Sequence, residues 1–277
     1  MCAVFSAAKD LVSKRLSVDL EPGLSTLASF AYALPLYVLL IGGLYLCGLE
    51  DFSLGQNFLL FVFVRSVTDI GAEWFKIKAI TAGDVSLVTL FIAMRPIFLI
   101  FLSPLITGDT ISAGGIAAIL ITVTGCVLLV WKGQMLTWND RYAILFALFS
   151  AICFCFNDCF DRLAVKQASA PMAAFAMTAF SAFFVFLILA VRRIKMDPLL
   201  SNVKLLSVRG VFEIISMLLK LFALQYAPAT TVATIVRLNL VFSVLGGGFV
   251  FKEKDTIRRL LAALMILAGN IGVVWFG

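Results

Sequence analysis

Long apolar runs separated by short polar links set the pattern of this chain. The runs lie near 24–48, 56–79, 84–106, 112–132, 142–165, 170–192, 203–226, 228–251 and 256–276. Each is close to the roughly 20 apolar residues that a helix needs to cross a bilayer. An incomplete run occupies 2–16. The pattern predicts ten membrane-spanning helices, the first one short, joined by brief connections. The longest polar stretches are 133–141 and 193–204, and the former is the natural midpoint.

The halves on either side of that midpoint repeat. Ala79–Trp131 matches Ala223–Trp275 without a gap, at a constant shift of 144 positions. The match pairs Val88 with Val232, Asp109 with Glu253, and Gly125 with Gly269. Earlier segments match at a shift of 148, which lays Lys9 and Asp10 on Asn157 and Asp158, and Lys14 on Arg162. The expected domains are a first five-helix repeat over 1–132 and a second over 142–277. Five is odd, so two copies inserted in sequence have opposite orientations. The expected fold is therefore an all-α membrane protein with two inverted five-helix repeats, a design suited to alternating access.

Composition agrees with a membrane setting. Of 277 residues, 62% are hydrophobic and 14% are charged, and the mean hydropathy is +1.07. A soluble domain is about half apolar and a quarter charged. The lipid bilayer is thus the first partner. The net charge of +6 implies no nucleic acid, because the basic residues fall in short loops, where they orient helices. The first residues, MCAVFSAAKDLVSKRL, lack the basic start and long apolar core of a signal peptide. There is no His, and the six Cys make no CxxC pair. We expect no metal and no cofactor, and the Cys are read as small packing residues.

Against that apolar background the stretch RSVTDIGAEWFK at 65–76 stands out. At about 100° per residue, Arg65, Asp69, Glu73 and Lys76 lie on one helix face. The shift of 144 carries Arg65 onto Arg209, Asp69 onto Glu213 and Lys76 onto Lys220, while Glu73 falls on Met217. An ionisable group near the bilayer centre costs roughly 2.5–3.5 kcal/mol on insertion scales. The third and eighth segments should therefore turn these groups away from lipid, towards a polar cavity between the halves. The spacing of four also allows an Arg65–Asp69 ion pair, and a purely structural pairing is the competing interpretation. Lys76 and Lys220, near helix ends, are expected to snorkel to the interface.

Further candidates for the cavity are Lys9 and Asp10 on the first segment, Asn157 and Asp158 on its repeat mate, Arg95 on the fourth, and Arg237 and Asn239 on the ninth. Pro96 should kink its helix. GGG at 246–248 and GNIG at 269–272 lack phosphate-loop spacing and are read as close-packing positions.

Three stretches carry a family resemblance: SAAKDLVSKRL, KAITAGDVSLVTLFIAMRPIFLIFLSPLITGDTIS, and ALQYAPATTVATIVRLNLVFSVLGGGFVFKEKDTIRRLLAALMILAGNIGVVW. In their order and duplication they resemble the EamA family of the drug/metabolite transporter superfamily. The resemblance implies a ten-helix inverted-repeat carrier of small metabolites, often an exporter of amino acids or related compounds, and the expected location is the bacterial inner (plasma) membrane. Two features depart from it. The first helix is several residues short, which implies that its natural start lies upstream of Met1. Lys and Arg crowd the loops after the odd-numbered segments, which puts both termini outside the cytoplasm, whereas the family usually has both inside.

The leading function is a secondary transporter with a small-molecule substrate. Asp69 and Glu213 are the carboxylates that could carry a coupling proton. No nucleotide loop points to ATP-driven transport. An enzyme alternative rests on NDCFD at 157–161, which is similar to the metal-diphosphate motif of membrane prenyltransferases, without its further Asp at position 165. A non-transporting membrane scaffold is the third class, since buried charges can serve helix assembly alone.

Overall fold

A computed structural model describes residues 1–6, 8, 22–48, 53–82, 88, 91–130, 141–194, 203–239, 241–242 and 256–276. Lys9, Asp10, Glu253 and the GGG at 246–248 lie outside the described residues. Among the described residues all regular structure is helical. In chain order the helices are α1 (Pro22–Ala31), α2 (Leu34–Leu46), α3 (Phe58–Ala82), α4 (Arg95–Thr107) and α5 (Ala113–Val130). They continue with α6 (Arg141–Val165), α7 (Ala170–Val191), α8 (Val203–Tyr226), α9 (Ala229–Val236) and α10 (Thr256–Phe276).

Three expected segments are interrupted, each for a local reason. The run at 24–48 is two helices, α1 and α2, parted at Tyr32–Ala33, with Pro35 opening α2. The fourth segment breaks at Met94, two residues before Pro96, which has no N–H to give to the preceding turn. The ninth breaks at Arg237, which closes α9. That position is the repeat mate of Ala93, so the fourth and ninth segments break within one residue of equivalent places.

The packing is inside-out by the standard of a soluble protein. On α3 the outward stripe is Leu59, Leu60, Phe63, Val67 and Trp74, while Arg65, Ser66, Asp69 and Ala72 are buried. On α7 the buried face is Ala170, Ala173, Ala174, Met177, Thr178, Ser181 and Ala182, and the exposed face is Phe183, Phe186, Leu187, Ile188 and Val191. Small and polar residues inside with large apolar residues outside is the arrangement that a lipid solvent favours. By length and composition, α6 and α7 are long and apolar enough to cross a membrane. Helices α3 and α8 have comparable lengths, 25 and 24 residues, but carry the charges that the sequence pattern singled out.

The chain divides into two compact units. Unit 1 is Met1–Ile70 with Phe160–Tyr226, and unit 2 is Gly71–Cys159 with Ala227–Gly277. Each unit draws on both sequence halves. The first half gives its early helices to unit 1 and α4 and α5 to unit 2; the second half gives α7 and α8 to unit 1 and α9 and α10 to unit 2.

Within unit 2, α5 and α10 form the most extensive helix pair. A Cβ on Gly125 would come within 2.9 Å of the Ile266 backbone nitrogen and 3.0 Å of the Ala262 carbonyl. A Cβ on Gly269 would meet the Thr122 nitrogen at 2.6 Å and the Ala118 carbonyl at 2.8 Å. Under the shift of 144, Ala118, Thr122 and Gly125 become Ala262, Ile266 and Gly269. The contact is thus reciprocal: each helix offers its glycine to the same two positions of its mate. Gly114 meets Phe276, so numbers rise along α5 as they fall along α10, and the mates run antiparallel. In unit 1 the same sense holds. Leu24 and Leu27 of α1 cluster with Val185 and Leu189 of α7, and Tyr37 of α2 lies by Thr178.

Candidate functional site

Helices α3, α6, α7 and α8 bring an ionic network into the interior of unit 1. Arg65 and Asp69, one turn apart on the buried face of α3, bond through Nη1 and Oδ2 at 3.0 Å. The Arg65 Nε donates to Asp161 Oδ1 on α6 at 3.0 Å. Its Nη1 also reaches the Ser181 hydroxyl on α7 at 3.4 Å. Lys220 on α8 donates to the other Asp161 oxygen at 2.6 Å. Asp161 is fully buried and holds one cation on each oxygen. Arg65 and Lys220 balance Asp69 and Asp161, and these charge-assisted bonds offset a desolvation cost of several kcal/mol per ion.

Groups around the network extend it. Glu213 is close enough to act electrostatically on Arg65 and on the Tyr37 hydroxyl. That hydroxyl is buried beside Thr178. Arg162, the residue after Asp161, donates through Nη1 to the Leu224 carbonyl near the end of α8.

Unit 2 holds a second, sparser cluster. Arg95, the first residue of α4, places Nε 3.2 Å from Asp158 Oδ2 on α6. The separation makes an ion pair, although the angle is not that of a hydrogen bond. The Arg95 guanidinium lies over the Phe154 ring, 5.4 Å from its centroid, and Lys76 Nζ is 5.8 Å from the same centroid. Lys76 pairs with Glu73 at 2.7 Å, and both are partly exposed. Arg237 is buried, and its Nε and Nη2 have no hydrogen-bond partner among the described residues. Its electrostatic neighbours include Arg95 and Asp158.

The residues singled out by sequence therefore fall in two groups. Arg65, Asp69, Arg209 and Glu213 lie in unit 1; Glu73, Arg95, Asn157, Asp158, Arg237 and Asn239 lie in unit 2. Asn157 and Asp158 are buried, and Arg209, Glu213 and Asn239 are half-buried and engaged with other groups. Lys220 does not snorkel: its side chain is 17% exposed and ends on Asp161. Sequence reasoning missed Asp161 and Ser181. The repeat lays Asp161 on Ser13, an uncharged mate. The available signal was the three-residue spacing from Asp158 to Asp161, which put two carboxylates on one face of α6.

Comparison with known proteins identifies the context of these clusters. Residues 141–275 match the model of the EamA-like transporter family. This part of the chain is similar to that family. No curated protein matches the chain. A solved structure, titled only as the crystal structure of a protein, shares the fold with a TM-score of 0.78. It covers 99% of this chain and 95% of its own at 14% identity. The family consists of membrane transporters of the drug/metabolite superfamily. Charged groups that face the interior while large apolar groups face outward fit a bundle solvated by lipid.

Proposed function

We propose that this EamA-like protein is a secondary transporter that moves a small metabolite, of the amino-acid or related class and in the export direction, across a bacterial plasma membrane. The route uses alternating access of the repeats 1–132 and 142–277. The observation that carries the reading is the balanced ionic network inside unit 1. In it, first-half Arg65 is bonded to second-half Asp161 and Ser181. Bonds of this kind can be exchanged for water and substrate contacts as access changes sides, with no net charge left buried. The antiparallel, reciprocal contact of repeat mates α5 and α10 supports the inverted arrangement that alternating access needs.

Asp69, Glu213 and the arginines beside them are proposed to line this route. Asp69 bonds to Arg65 within its own helix, whereas Asp161 ties Arg65 of α3 to Lys220 of α8, so Asp69 is the carboxylate proposed to carry a coupling proton. The enzyme reading has no observation in its favour. Asp158 faces Arg95, and Asp161 holds Arg65 and Lys220, so both carboxylates of NDCFD are already engaged by basic groups. The test is uptake of a labelled metabolite panel into proteoliposomes under an imposed pH gradient. Saturable, gradient-driven accumulation above protein-free liposomes is expected for at least one compound. Unchanged gradient-driven uptake in folded Asp69→Asn and Glu213→Gln variants would remove both from proton coupling.

A further inference from the structure

We infer that Arg237 and Arg95 in unit 2 form a recognition point for one carboxylate group of the transported molecule, an inference that rests on the transporter reading above. Arg237 is 7% exposed. Its Nε and Nη2 are buried without a hydrogen-bond acceptor among the described residues. A guanidinium stays charged in proteins and presents five donors in a planar fork. Burying it with donors unmet is costly, and an arriving anion removes that cost.

The surrounding charge says what kind of anion fits. The charged neighbours that act on Arg237 are Arg95, of like sign, and Asp158, of opposite sign, with the thiols of Cys126 and Cys155 alongside. Asp158 is engaged by Arg95 at 3.2 Å. Among the described residues of this cluster, two guanidinium groups against one carboxylate leave one positive charge in excess, which one carboxylate neutralises. A phosphate dianion would leave the cluster negative. The guanidinium fork also matches the two oxygens of a carboxylate.

Position agrees with chemistry. Arg95 opens α4 just after the Met94 break, and Arg237 closes α9 at the break of its segment. The N-terminal end of an interrupted membrane helix favours an anionic group, which is the end of α4 that Arg95 occupies; at the C-terminal end of α9 it is the Arg237 guanidinium itself that supplies the positive charge. Arg95 is already oriented by Asp158 and the Phe154 ring, while Arg237 has donors to spare. The pair thus divides the work: Arg95 is held in place, and Arg237 completes its bonding with the ligand.

The experiment follows thermal unfolding of the purified, detergent-solubilised protein with free amino acids, their carboxamides and inorganic phosphate as probes. At least one amino acid should raise the unfolding temperature while its carboxamide does not. In Arg237→Gln the apparent affinity for that acid should fall about tenfold or more. Without any probe, Arg237→Gln should unfold at or above the wild-type temperature, because it removes an unmet buried charge; a structural cation would give a lower temperature. Equal effects of acid and carboxamide, stabilisation by phosphate alone, or no stabilisation by any acid overturns the inference. An acid that stabilises but never enters proteoliposomes sinks the transporter reading and leaves this site standing. An acid carried equally well by Arg237→Gln sinks this site and leaves the transporter reading standing.

Discussion

Units 1 and 2 keep charge inside an apolar exterior in different ways. In unit 1, Arg65, Asp69, Asp161 and Lys220 close on one another, and each charge meets an opposite charge. In unit 2, Arg95 meets Asp158 while Arg237 keeps two nitrogens without partners among the described residues. Unit 2 also contains the reciprocal α5–α10 crossing, where backbones meet over Gly125 and Gly269. The contrast teaches that buried charge has two uses within one chain. A closed network is complete without a ligand, whereas an open cluster is completed by one.

The sharpest way to break this contrast is at Asp161. Asp161→Asn leaves Arg65 and Lys220 without their shared anion, and loss of one partner from a buried pair costs about 3–5 kcal/mol. Denaturation of the detergent-solubilised variant should show a destabilisation of that order. A loss under about 1 kcal/mol would mean that the network is solvated and not closed. Next in size is the helix crossing. Gly269→Val puts a branched side chain where even a Cβ lies 2.6 Å from the Thr122 nitrogen, and overpacking of this kind costs about 1–3 kcal/mol. The same substitution at Gly42 of α2, where nothing lies within 4 Å of a Cβ, should be close to neutral.

Smaller still is Ser181→Ala. It removes a long 3.4 Å bond to Arg65, and the expected loss is about 0.5–1 kcal/mol by the same denaturation measurement. An Arg237→Gln variant without ligand completes the series with no loss or a gain in unfolding temperature. If Arg237→Gln instead matched the loss of Asp161→Asn, the two clusters would be alike and the contrast would fail.

Much of this was legible in the primary structure because a bilayer makes polarity conspicuous. An apolar segment turns its charges from lipid, so Arg65 and Asp69 could be placed on the buried face of α3 and the spacing of four gave their ion pair, while Glu73 and Lys76 further along the helix stay partly exposed. The 144-residue shift located Gly125 and Gly269 as mates, and the structure brings each against the other's helix. Other features depended on tertiary packing. Helical periodicity put Lys220 on the face of Arg209 and Glu213, but its partner lies 59 residues away in sequence, and its place near a helix end pointed to the interface instead. Asp161 was hidden because its repeat mate is Ser13, and because it fitted a different motif. The breaks at Tyr32–Ala33 and Arg237 were equally hidden. Apolar content continues through both, and hydropathy does not register where a backbone ladder is interrupted.

The measurement that tests alternating access most directly is the reactivity of one thiol placed in the network. Ser181→Cys changes little in volume at a fully buried position beside Arg65. The six native cysteines would be replaced so that this thiol reports alone. In a protein that exposes its interior to each side in turn, a membrane-impermeant thiol reagent should label position 181 from both faces of sealed proteoliposomes, and a transported substrate should slow the labelling. Complete protection from both faces, with and without substrate, would mark a permanently closed scaffold and contradict the transporter account.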